Sequence, residues 1–78
     1  MKNITIADCE ELKTKFDKYC ETAEPSEYPL LLILDVKFTQ TVNFYREAGK
    51  IENQENANAM FRVVLRVIGE DFSEYEVA

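Results

Sequence analysis

The sequence predicts an all-α fold, a compact three-helix bundle with a short acidic C-terminal tail, and three observations predict it. Apolar residues recur at helical spacing in three separate stretches. The two prolines and two glycines fall between those stretches or at their ends, where helices start and stop. Nothing in between reads as a repeat or a low-complexity linker, so residues 1–78 form a single domain. The predicted helices cover about 5–23, 27–48 and 54–68, and the tail covers 69–78.

The first helix carries a narrow apolar stripe of Cys9, Leu12, Phe16, Tyr19, Cys20 and Ala23 among charged neighbours. Thr5 suits its N-cap, and Asp8 three residues on completes a weaker form of the capping box. A stripe this narrow predicts a peripheral helix with one neighbouring surface. Cys9 and Cys20 lie about three turns apart, roughly 16 Å at 1.5 Å per residue, too far for a disulfide within one helix. They read as small buried hydrophobes in a reducing compartment.

The second segment, YPLLLILDVKFTQTVNFYREAG, holds two periods in competition. Alternate residues from Leu30 to Phe38 suggest a strand, and a small α+β domain with a strand at about 30–36 is the alternative fold. Yet some fifteen residues without a turn signal exceed the usual strand length of about 3–10. At helical spacing Leu30, Leu31, Leu34, Phe38, Val42, Phe44 and Tyr45 share a face. Ser26 then serves as N-cap and Gly49 ends the helix. Leu32 and Val36, one turn apart, are left on the outer, polar side.

The third helix is the most regular: Met60, Val63, Val64, Val67 and Ile68 follow i, i+3, i+4, i+7, i+8, flanked by Ala57, Phe61 and Leu65. So broad a face predicts contact with both other helices and a place at the centre of the bundle, with Arg62 and Arg66 outward. Beyond Gly69 the tail reads EDFSEYEVA.

Composition removes most chemistry. The chain has no histidine, so it lacks the imidazole on which Ser-His and Cys-His catalysis depends. Two distant cysteines do not make a zinc site of the usual kind, and two glycines are too few for a phosphate-cradling loop. The adjacent acids, Glu10 with Glu11 and Glu70 with Asp71, read as solvated charge; Asp35 alone is set in an apolar run. The expectation is a non-enzyme with no catalytic residue, cofactor or metal. Fifteen acidic against nine basic residues, net −6, disfavour direct binding to nucleic acid or anionic membranes and favour a basic partner. The N-terminus shows no secretory pattern, and Asp35 interrupts the longest apolar run well short of a span, so a soluble, cytoplasmic protein is expected.

Binding is what remains. The candidate contact residues are Leu32 and Val36 on the second helix, and Glu70, Asp71, Phe72, Glu74 and Tyr75 in the tail, where aromatics among acids suit a basic, partly apolar groove. The leading expectation is a small acidic protein-binding module, an inhibitor or adaptor of a larger partner, of the kind found among phage-like products. An acidic mimic of nucleic acid is a second reading, weakened by Lys13, Lys15 and Lys18 among the acids of the first helix. A homo-oligomeric subunit, a dimer for instance, is a third.

Overall fold

The computed structural model describes residues 3–71, and among them the chain forms α1 (Ile6–Glu21), α2 (Tyr28–Ala48) and α3 (Gln54–Ile68), with a single 3-10 turn at Pro25–Glu27 and no strand. The three-helix bundle is therefore the fold, and the strand at 30–36 does not form. Each boundary has a local cause. Thr5 caps α1 reciprocally: the Asp8 amide donates to Thr5 Oγ1 at 3.1 Å and the Thr5 amide to Asp8 Oδ2 at 2.9 Å. Asn53 caps α3 by accepting from the Asn56 amide at 3.1 Å.

Gly49 and Gly69 close α2 and α3 at φ 72° and 77°, a left-handed conformation that glycine adopts without a Cβ penalty. After α3 the Gly69 amide reaches Arg66 O and the Glu70 amide reaches Leu65 O, the paired bonds of a Schellman motif.

Ser26 does not cap α2. It lies inside the 3-10 turn, and the residue preceding α2 is Glu27, whose carboxylate bonds elsewhere. Glu27 Oε2 accepts from the Glu24 amide at 3.1 Å, and Oε1 accepts from the Tyr19 hydroxyl at 2.6 Å. One side chain thus closes the turn and ties it to the last turns of α1.

α1, expected at the periphery, is the central helix. It packs against both α2 and α3, which approach one another closely at few points. Chain direction follows from the contacts. α2 returns antiparallel to α1, with Tyr19 beside Glu27 at one end and Arg46 within 3.7 Å of Glu10 at the other. α3 then runs in the same direction as α1. Phe16 is fully buried at the middle of α1 and meets Phe38 of α2 edge to face, ring centroids 6.1 Å apart. Leu12 and Cys9 extend the stripe toward the α1 N-terminus, while Phe61, Val64, Leu65 and Ala57 supply the α3 side.

The buried face of α3 differs from the expected one. Ala57, Phe61, Val64 and Leu65 are buried as expected, but Val63 lies half exposed and Asn58 joins the core. Asn58 is buried and bonded through both its amide oxygen and its amide nitrogen: its Oδ1 accepts from the Ile4 amide at 3.3 Å and Gln54 Nε2 at 2.9 Å, and its Nδ2 donates to Asn3 Oδ1 at 3.1 Å. Gln54 Nε2 also reaches Ile4 O at 3.0 Å. These bonds hold Ile4 over the core, where it is almost fully buried, and a buried amide so satisfied costs little.

Two substitutions separate packing from pinning. Phe16→Ala should lose about 3–5 kcal/mol through lost contact and cavity. Asn58→Leu should lose about 1–3 kcal/mol by orphaning the Ile4 amide. Urea unfolding followed by circular dichroism measures both; a loss below about 1 kcal/mol for Phe16→Ala would deny it the centre of the core.

Candidate interaction surfaces

The outer side of α2 is the most apolar exposed surface among the described residues. Only Leu31, Phe38, Val42 and Tyr45 of this helix are buried, a stripe one residue wide. The N-terminal half is nonetheless apolar nearly all round. Tyr28, Leu30, Leu32, Ile33 and Val36 are each between 48% and 65% exposed, and Pro29 is exposed beside them. At about 100° per residue, Leu32 and Val36 lie next to one another, with Pro29 and Ile33 adjoining them on the side facing away from the core.

The structure thus places the predicted pair Leu32 and Val36 in solvent, inside a larger patch. Leu30 and Phe44, expected in the core, are 59% and 54% exposed, because the buried stripe of α2 is too narrow to include them.

On its flank this patch runs into an apolar groove of about 600 Å³ between the end of α1 and the start of α2, lined by Cys20, Tyr28, Pro29, Leu31, Leu32 and Asp35. Asp35 marks its polar edge. It accepts from Lys13 Nζ at 3.3 Å and from Thr39 Oγ1 at 3.2 Å, so its ionic partner is Lys13 of α1. Lys13 bridges Asp35 and Asp17. Burial works against its charge, but hydrogen bonds and attraction from Asp17 and then Asp35 outweigh that, and its pKa is raised.

The tail residues fall elsewhere. Glu70 and Asp71 line a smaller groove of about 270 Å³ between α1 and α3, with Asp8, Glu11 and Lys15 on its rim and Leu12, Phe61 and Leu65 beneath. That groove shares no residue with the one on α2, so Glu70 and Asp71 lie apart from Leu32 and Val36. Phe72, Glu74 and Tyr75 lie outside the described residues. Arg62 and Arg66 belong to a third shallow surface, with Val63 and Val67 on the outside of α3.

No group of three or more possible metal ligands occurs among the described residues, and no described helix is long and apolar enough to cross a membrane. Both cysteines are free thiols. Cys9 is buried, and desolvation, aided by Asp8 and Glu10, pushes its pKa to about 11. Cys20 is partly accessible at the α2 groove, its pKa raised by burial and then by Asp35.

A thiol pKa raised on folding favours the protonated folded state. The Cys9 contribution is therefore fully present below the ordinary thiol value of 9.0 and is lost as pH rises toward about 11. The urea midpoint should fall between pH 9 and 11, and Cys9→Ala should flatten that fall. In the native protein at pH 8, Ellman's reagent should titrate Cys20 before Cys9. Equal rates would place Cys9 outside the core.

No family model matches this sequence, and comparison with curated proteins and with solved structures finds no similar one.

Proposed function

We propose that this protein is a small, acidic, cytoplasmic, non-enzymatic interaction module, an inhibitor or adaptor that covers a surface of a protein partner with the outer face of the N-terminal half of α2. One observation carries the reading. Six neighbouring residues, Tyr28, Pro29, Leu30, Leu32, Ile33 and Val36, stand in solvent on about two turns of one helix. Isolated apolar side chains on a surface need no explanation, but a contiguous patch of on the order of 500 Å² lies at the upper end of what monomers expose and marks an interaction site.

The surrounding chemistry supports binding over chemistry of bonds. The patch contains an aromatic residue and branched aliphatics, the side chains that anchor interfaces. Asp35 beside it is already paired with Lys13. The net charge of −6 would steer a partner carrying basic groups around an apolar centre. An acidic mimic of nucleic acid is less well supported, because Lys13 sits between Asp17 and Asp35 and breaks the row of carboxylates such a mimic needs.

The double substitution Leu32→Glu with Val36→Glu tests this. Both side chains face water, so helical content and the urea midpoint should change by less than about 0.5 kcal/mol equivalent. Immobilised wild-type chain should retain a protein, its own kind included, that the double variant does not retain. Equal retention by both would move the contact off α2; a large loss of helicity would show the pair to be part of the core.

A further inference from the structure

We propose that the occupant of the α2 face is a second copy of this chain, paired antiparallel about a two-fold axis through the middle of the patch. The proposal rests on the reading of α2 as the contact face and names its partner.

Two features of the patch are self-complementary. The first is extent. A surface of on the order of 500 Å² on each copy would remove on the order of 1,000 Å² in total when two meet, which is where specific interfaces begin.

The second is the arrangement of charge along the helix. The apolar residues run from Tyr28 to Val36, so the patch is centred near residues 31 and 32. Its N-terminal border carries the exposed Glu24 beside the 3-10 turn, while Glu27 is turned toward α1 and already bonded there, and its C-terminal border carries Lys37 on the exposed side. A two-fold axis through the centre sets Ile33 of one copy level with Leu30 of the other. The same axis sets Lys37 of each copy level with the Pro25–Glu27 turn of its mate. Each copy thereby offers a cation to Glu24 of the other, twice over, as an isologous interface requires. Antiparallel alignment also opposes the helix dipoles favourably. A uniformly basic partner would match Glu24 but meet Lys37 with like charge, whereas a second copy pairs Lys37 with Glu24 at both ends and does so against the general repulsion of two chains of net −6.

Pairing of this kind leaves the α1–α3 groove, with Asp8, Glu11, Glu70 and Asp71, on surfaces not used by the contact. The pair would then present two equivalent acidic surfaces, which suits an adaptor better than an inhibitor.

Sedimentation equilibrium from about 5 to 500 μM, with reductant present, tests the pairing in the full chain. The expected result is a reversible shift from 9.1 kDa to twice that mass. Leu32→Glu with Val36→Glu should abolish the shift at unchanged circular dichroism. Lys37→Glu should weaken dimerisation about tenfold, and Glu24→Lys added to Lys37→Glu should restore most of it, a rescue that a merely structural role for either residue would not give. A monomer at every concentration would overturn the self-pairing, as would a dimer indifferent to all of these substitutions. The broader reading of α2 has a separate fate: it falls only if the double glutamate variant also retains every protein that the wild type retains.

Discussion

The constraint on which the rest of this structure depends is the narrowness of the apolar stripe on α1. That helix offers Cys9, Leu12 and Phe16 to the core, with Tyr19 and Cys20 half-buried beside them and Ala23 just past its end, and it must serve two neighbours with them. α2 and α3 each carry a broader apolar surface than one stripe can cover. The surplus stays in water: Leu30, Leu32, Ile33, Val36 and Phe44 on α2, Val63 on α3. In a larger domain another layer would close over such residues; among the described residues none does. The exposed patch is therefore a consequence of the core geometry and not an isolated oddity of α2.

Much of the fold was legible in the residues, because local signals agreed with one another. Thr5 and Asp8, Gly49 and Gly69 sit at helix ends for stereochemical reasons that operate within a few residues, and the structure uses all four as read. What was not legible was the order of packing. Helix width suggested a central α3, yet α3 turns its most buried side toward Asn58, a polar residue that no hydrophobic pattern counts. The signal for it lay in the N-terminal segment: Ile4 is an apolar residue outside any helix and needs a surface to cover. Its amide finds Asn58 only once α1 and α3 run side by side. Such a bond spans 54 residues of sequence, and periodicity within a window does not register it.

The candidate surfaces were half legible for the same reason. Leu32 and Val36 stood out because they fall opposite the buried stripe, which a helical wheel shows directly. Leu30 and Ile33 were lost in the apolar run, since a run that is hydrophobic on every side carries no phase of its own. The phase is set by Phe38, whose edge-to-face contact with Phe16 fixes which side of α2 looks inward. Once that rotation is fixed, the outer side of the first two turns follows without further choice. The turn that starts α2 was misread at Ser26 because the Glu27 carboxylate closes the turn, bonded to the Glu24 amide and to a hydroxyl on the preceding helix, and α2 itself starts without a side-chain cap.

Stability and binding meet at that same turn. The first two turns of α2 are held inward by Leu31 and the half-buried Leu34, and at their start by the Glu27 carboxylate with the Tyr19 hydroxyl. This is slender anchorage beside the aromatic contact lower in the helix, and regions with few buried contacts open at lower free energy than the core. A chain bound to the outer face would bury the side chains that now face water and would hold those turns from the other side. Because only the folded helix presents that face, occupancy and folding are linked by mass action, with stability rising as the partner's concentration exceeds its dissociation constant. The residues that leave this small domain incompletely covered are thus the ones through which a bound chain would complete it.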